Sequence, residues 1–244
     1  MPADPEVAVV VGASGGIGRA LLAAFEADPR FARVVALSRR RPDGWPDGEG
    51  RAWRPVDILD EASLAAAAAH IRREGVATRI VVATGRLHGE GLAPEKSLAA
   101  LDAPSLAALF GINAIGPALA AKHLLPLTPR DRPSVFAALS ARVASLSDNT
   151  LGGWYGYRAS KAALNMLIHT AAIEHRRSRP LGVCVVLHPG TVATALSAPF
   201  TGHTPPARLF SPPIAAAHLL KVMDGLGPEA NSGFFAWDGA AIPW

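Results

Sequence analysis

Tyr157 and Lys161 stand four residues apart in the stretch "YRASK". On a helix, positions i and i+4 share a face, so both side chains can reach one spot. A free phenol ionises near pH ~10, too high for efficient proton transfer at neutral pH. A neighbouring ammonium favours the phenolate and lowers that pKa. The pair therefore reads as a tuned acid that can protonate an alkoxide while hydride reaches a carbonyl carbon. The spacing alone arises often by chance, so its weight depends on what else the chain supplies.

A second chemical motif lies far upstream. Residues 12–18 read "GASGGIG", with Gly12, Gly16 and Gly18 in the spacing G-x-x-x-G-x-G. An apolar run precedes this turn, and a helical pattern follows it. Such a strand–turn–helix brings backbone N–H groups to a pyrophosphate at the positive end of the helix. Gly15 and Ile17 belong to the same turn, and Ser14 is placed to cap the helix or touch phosphate. About 20 residues further on, a second strand should end beside the adenosine ribose, where a carboxylate would select the 2′-hydroxyl of NAD. The chain offers Ser38, Arg39 and Arg40 there instead. Arginine pairs with a 2′-phosphate through its planar fork, so NADP(H) is the expected cofactor. Asp57 and Ile58, after a third strand, are placed to meet the adenine; a helix N-cap is the rival role for Asp57.

These groups need a scaffold, and the hydrophobic pattern describes one. Apolar runs at 7–12, 33–38, 51–56, 79–84, 134–140, 182–188 and 233–237 read as seven strands. They are continuous rather than alternating, as in strands buried on both faces of a parallel sheet. Alanine-rich helical stretches at 17–27, 61–74, 105–126, 158–176 and 212–224 separate them. Strand–helix alternation predicts an α/β fold: a single Rossmann domain over 1–244, with a doubly wound parallel sheet flanked by helices. The Pro-rich connection at about 191–211 reads as a lid over the substrate.

Composition bounds the function. Half of the 244 residues are hydrophobic, 18% are charged, and the formal net charge is +4. That is a globular composition. Its basic clusters, 38–41 and 175–179, are too confined for a nucleic-acid face. One cysteine, Cys184, excludes an internal disulfide and reads as a buried thiol. No unbroken apolar run has the length of a membrane span, and no leader pattern opens the chain. A soluble cytoplasmic protein without nucleic-acid or membrane partners is expected. The eight histidines show no ligand-like spacing, so no metal is expected, and His88 and His203 read as ordinary loop residues.

Taken together, "GASGGIG", "FGINAIGPALAAKHLLP", "YRASK" and "HPGTVATAL" resemble the short-chain dehydrogenase/reductase family from Val7 to Trp244. The branch with sniffer-type carbonyl reductases and C-factor signalling proteins is the most similar. The resemblance implies Tyr157 as catalytic acid/base, with Lys161 lowering its pKa and binding the nicotinamide ribose. Asn113 would hold a water in a proton relay to Lys161. Pro189 and Gly190 would open the turn under the nicotinamide. Thr191 and Val192 would contact its carboxamide, and Thr194 would reach the pyrophosphate. A carbonyl or alcohol substrate is implied, and a homodimer or homotetramer paired through the long helices. In the lid, Leu196, Phe200 and Leu209 read either as lining of an apolar substrate pocket or as core packing, and Trp154 and Tyr155, before the catalytic helix, read as a wall of that pocket. A nucleotide-binding signalling protein with little turnover is the alternative.

Two departures stand out. Ala83-Thr84-Gly85 replaces the usual Asn-Ala-Gly after the fourth strand, so Thr84 either substitutes for the Asn or the contact is lost. The family's catalytic serine, second of a Ser-Ser pair, falls at Ala141. Ser140 is the favoured replacement, by a narrow margin over Ser145.

Overall fold

Runs of valine and alanine become strands here because both faces of each strand are covered. A computed structural model describes residues 4–46 and 48–244. In chain order its main elements are β1 (Glu6–Val11), α1 (Gly16–Glu26), β2 (Arg33–Ser38), β3 (Arg51–Pro55), α2 (Glu61–Glu74), β4 (Val76–Val82), α3 (Ala103–Phe110), α4 (Gly116–Leu124), β5 (Ser134–Leu139), α5 (Tyr155–Arg176), β6 (Gly182–His188), β7 (Thr191–Val192), β8 (Leu209–Phe210), α6 (Pro212–Asp224) and β9 (Phe234–Ala236). Seven strands form one sheet in the order β3-β2-β1-β4-β5-β6-β9, with parallel pairing throughout.

β1 illustrates the burial. Val7, Val9 and Val11 pack on one face with Leu64 and Ile71 of α2, Ala120 and Leu124 of α4, and Leu164 and Ile168 of α5. Ala8 and Val10 pack on the other with Leu21, Leu22 and Phe25 of α1 and Leu219 of α6. Each fully buried leucine or phenylalanine contributes about 2 kcal/mol relative to exposure. Strand order reverses between β1 and β4, which opens a crevice beyond their carboxyl ends. The glycine turn, Tyr157, Lys161, Pro189 and Thr194 all line that crevice.

The expected helix over 105–126 is divided. α3 ends at Phe110, a π-turn spans Gly111–Ile115, and α4 follows. Pro117 has no N–H for the carbonyl of Asn113, so the regular ladder breaks there. Gly116 lets this segment approach closely: a Cβ on it would lie 2.8 Å from Ile58 Cγ1. Ala103–Leu127 is long and apolar enough to cross a membrane by length and mean hydropathy alone. In the fold it packs against α2 and α5.

The 191–211 connection has structure of its own. Thr191–Val192 pairs with Leu209–Phe210, and short 3-10 turns form at Ala198–Phe200 and Pro206–Arg208.

Candidate active site

α5 brings Tyr157 and its neighbours to the crevice. Tyr157, Lys161 and Asn165 recur at helical spacing on its sheet-facing side, and all three are buried. The Lys161 ammonium donates to the Leu139 carbonyl at 2.8 Å, which ties α5 to the end of β5. The carboxylate of buried Glu95 accepts from Gly156 N–H at 3.1 Å and caps the start of α5 from outside.

The ammonium does not set the acidity of Tyr157 as its spacing suggested. Burial pushes the phenol up to about 12 and pushes Lys161 down to about 7. Low-dielectric surroundings disfavour the charged form of each, and neither partner's charge outweighs this. A measurable consequence follows for Lys161. Between pH 7 and its ordinary value of 10.5, the unfolded chain holds this proton more firmly than the folded one. Stability therefore rises with pH across that window, and the cost of the buried ammonium is fully present below it. Without added nucleotide, Lys161→Met is expected to melt above wild type below pH 7, by a margin that shrinks toward pH 10. Thermal melts across that range check this; a margin independent of pH contradicts it.

Asn113 sits in the π-turn, a device frequent at functional sites. Its Oδ1 accepts from Arg86 N–H at 2.8 Å, and its Nδ2 donates to the Arg86 carbonyl at 2.8 Å and to Ser160 Oγ at 3.0 Å. Asn113 thus joins the loop after β4 to α5. It makes no direct bond to Lys161, yet both reach one place. A Cβ on Gly85 would lie 3.6 Å from Lys161 Nζ and 3.7 Å from Asn113 Oδ1.

The glycine turn is built for close approach. Gly12 adopts φ 82°, and a Cβ there would lie 3.0 Å from the backbone of residues 83 and 84. A Cβ on Gly16 would lie 2.8 Å from Thr194 Cγ2. Gly15 is the N-cap of α1, and no side chain caps that helix. Ser14 therefore lies on the cleft wall without capping, and the first-turn N–H groups are left for a ligand.

Two cavities run along the crevice and share Gly15, Thr84 and Gly85. One, of about 430 Å³, is walled by Gly12, Ser14, Ser38, Arg39, Asp57 and Ile58. The other, of about 410 Å³, is walled by Gly16, Ile17, Ser140, Tyr157, Lys161, Pro189 and Thr194. Between them Thr84 Oγ1 is buried without a partner, so the contact usually made by the family's Asn is lost and a polar atom is left unsatisfied. The uncapped helix, the close-approach glycines and this orphan hydroxyl fit a dinucleotide. A third cavity, of about 370 Å³, opens from Tyr157 toward Gly190, Thr191, Val192, Leu196 and Phe200 beneath the lid.

Several expected residues stand elsewhere. Arg40 does not line the cleft; its carbonyl accepts the Ser38 hydroxyl at 2.7 Å, which also removes Ser38 Oγ as a free donor. Gly18 acts inside the turn, because a Cβ there would meet the Gly12 oxygen at 2.2 Å. Asp57 accepts from Leu59 N–H at 3.0 Å while remaining on the adenine-end wall, and Asp60 is the residue that caps α2. Leu209 pairs with Thr191 through the backbone and does not line the cavity, and Tyr155 turns outward at 37% exposure. Trp154 does wall the substrate side, its ring 5.1 Å from Phe200 and 6.3 Å from Tyr157. Ser145 is buried away from the cavities and accepts from Asp148 N–H. Ser140 lines the cavity, but its hydroxyl donates to Asn165 Oδ1 at 2.6 Å.

In the loop after β4, sequence reasoning passed over Arg86 and Leu87 and read His88 as an ordinary loop residue. Arg86, Leu87 and His88 line the cleft, and His88 Nε2 lies 3.1 Å from the carbonyls of Ala195 and Leu196 in the lid. Their only signal was position, directly after a strand at the carboxyl edge.

This arrangement defines an oxidoreductase of the dinucleotide-binding class, and the chain belongs to the short chain dehydrogenase family, whose model matches residues 6–204. It is 38% identical to the C-signal protein of Myxococcus xanthus over 149 residues, 61% of this chain and 84% of that one. The fold is similar to carbonyl reductase Sniffer of D. melanogaster, at TM-score 0.83 and 22% identity over 98% of this chain and 99% of that one. It is similar also to an NADPH-bound carbonyl reductase from chicken fatty liver, at TM-score 0.81 and 22% identity over the whole of both chains.

Proposed function

We propose that this protein is an NADP(H)-dependent reductase of a ketone or aldehyde, or the reverse alcohol dehydrogenase, with Tyr157 as general acid/base. The observation that carries this reading is the meeting of Tyr157, Lys161 and the uncapped N-terminus of α1 along one crevice. A bound nicotinamide supplies the hydride chemistry. The protein then does four things. The glycine turn seats the pyrophosphate, with Thr194 against it. Lys161 holds the ribose, while burial keeps Tyr157 protonated. Thr191 and Val192 orient the carboxamide above Pro189 and Gly190. Tyr157 gives its proton to the oxygen of the reacting carbonyl, and the Asn113–Lys161 side of the cleft returns it. The partly apolar chamber beneath Leu196 and Phe200 suits a small or hydrophobic carbonyl compound. Exposed Ile115, Leu167 and Ile173 suit pairing into a dimer or tetramer on the α4–α5 side.

The choice of NADP(H) rests on Arg39 at the ribose end and on Ser38 and Arg39 standing at the end of β2, where a carboxylate would select NAD. The NADPH-bound chicken enzyme has the same fold, which supports the choice by analogy. Arg39→Asp is expected to raise the Kd for NADPH by about 10- to 100-fold and to leave NADH little changed. Fluorescence titration of both nucleotides checks this, and an equal loss for both contradicts it. The reading as a whole is tested by NADPH oxidation against a panel of aldehydes, ketones and diketones.

A second reading, a nucleotide-binding signalling protein with little turnover, is favoured by Ala141 and by the commitment of Ser140 to Asn165. It predicts tight NADPH binding with no carbonyl reduced.

A further inference from the structure

A carbonyl oxygen that gathers negative charge is best held by more than one donor. Tyr157 is one. Position 141 has no hydroxyl, and Ser140 has given its only proton to Asn165. The same cavity wall holds a further polar group at this place. His188 ends β6 and lines the chamber with Tyr157, Ser140 and Ala141. Leu187 pairs with Leu139, and Ser140 N–H donates to the Leu187 carbonyl at 2.8 Å, so His188 follows in register beside Ser140. Paired strands run about 4.8 Å apart, within reach of an imidazole. The Nδ1 of His188 is buried with no partner. A donor to the cavity is therefore the tautomer that carries its N–H on Nε2, the ring nitrogen not enclosed in this way.

We propose that His188 is a second hydrogen-bond donor to the reacting carbonyl oxygen, in place of the hydroxyl that position 141 lacks. The proposal rests on the reductase reading above. As hydride adds to the carbonyl carbon, the π pair moves to oxygen and the nicotinamide is oxidised. Tyr157 transfers its proton to that oxygen; His188 keeps its own and tightens one hydrogen bond. The charge state suits this role. Burial, with the Arg142 cation acting in the same direction and Asp238 against it, holds the ring near 4. At neutral pH His188 is therefore an uncharged donor that does not compete with Tyr157 as the proton source.

The experiment compares wild type, His188→Ala, Ala141→Ser and the double variant on the best substrate of the carbonyl panel. His188→Ala is expected to lower kcat by about 10²-fold with little change in KM. Ala141→Ser is expected to restore at least about tenfold of that loss in the double variant, because a serine hydroxyl supplies the missing donor. In parallel, wild type labelled with 15N-histidine and saturated with NADP+ is titrated with cyclohexanone, which cannot be reduced in that complex. A shift of the His188 ring resonances on adding ketone is expected. A His188→Ala variant as active as wild type overturns the proposal, as does a loss that Ala141→Ser leaves unrepaired alongside unmoved ring resonances. If His188→Ala fails to fold, the resonances of the wild type decide. A wild type that binds NADPH but reduces no carbonyl overturns the reductase reading and this inference together. That outcome is distinct from an active enzyme indifferent to His188.

Discussion

Tyr157→Phe is expected to lower kcat by about 10³-fold and to change the Kd for NADPH by less than about twofold, the size of effect expected when a positioned acid is removed. The two changes separate because the hydroxyl alone is lost. The ring keeps its place on α5, 6.3 Å from Trp154, and Lys161 keeps its anchor on the Leu139 carbonyl. Burial holds Tyr157 near 12, so the phenol is a reservoir of one proton rather than a phenolate at neutral pH. Tyr157 itself should accordingly add no titration to the reductive rate through neutrality, and any step there is expected from Lys161, held near 7. Steady-state kinetics with a nucleotide titration on the same preparation measure both quantities. An undiminished kcat would remove Tyr157 from the chemistry, and a parallel loss of NADPH binding would make its role structural.

Gly18→Ala is expected to be the most damaging one-carbon change in the cofactor cleft. A Cβ there would sit 2.2 Å from the Gly12 oxygen, 2.9 Å from the Gly12 carbonyl carbon and 3.0 Å from Ala13 Cα. All three are backbone atoms, so no side chain can move aside, and the turn must open. Overpacking of this kind costs about 1–3 kcal/mol, which for a chain of this size lowers Tm by roughly 2–10 °C. NADPH affinity should fall by more than about 10²-fold, because the N–H groups of α1 no longer converge on the pyrophosphate. Gly48→Ala is the control: a Cβ there meets nothing within 4 Å. Differential scanning calorimetry and NADPH titration of the pair check this. A Gly18→Ala protein that binds like the control contradicts the assigned role of the turn.

The sheet was legible because parallel strands buried on both faces leave unbroken apolar runs, and Val7–Val11 is such a run. The glycine turn was legible because positive φ and close approach leave glycine little competition. The division of the helix at Asn113 was harder to read. It follows from Pro117 withholding one N–H, and helical periodicity registers a proline only as a weak interruption. The acidity of Tyr157 was misread because i,i+4 spacing fixes who is near, while burial depends on how β5, α5 and the lid close around the pair. Ser140 was placed correctly at the cavity, but the direction of its hydroxyl depends on Asn165, eight positions beyond Tyr157 on the same helix. Arg86 and Leu87 escaped notice, and His88 was read as an ordinary loop residue, because loop residues carry no periodicity; only their position after β4 marks them.

The central claim is that hydride crosses this cleft to a carbonyl carbon while Tyr157 protonates the oxygen. The most direct measurement uses NADPH deuterated at nicotinamide C4 on one face at a time, with the carbonyl panel and mass spectrometry of the products. One face is expected to deliver deuterium to the carbinol carbon of an alcohol product with wild type, with almost no product from Tyr157→Phe. Protein that binds NADPH yet forms no deuterated alcohol from either face would contradict the account and leave the crevice as a nucleotide-binding site alone.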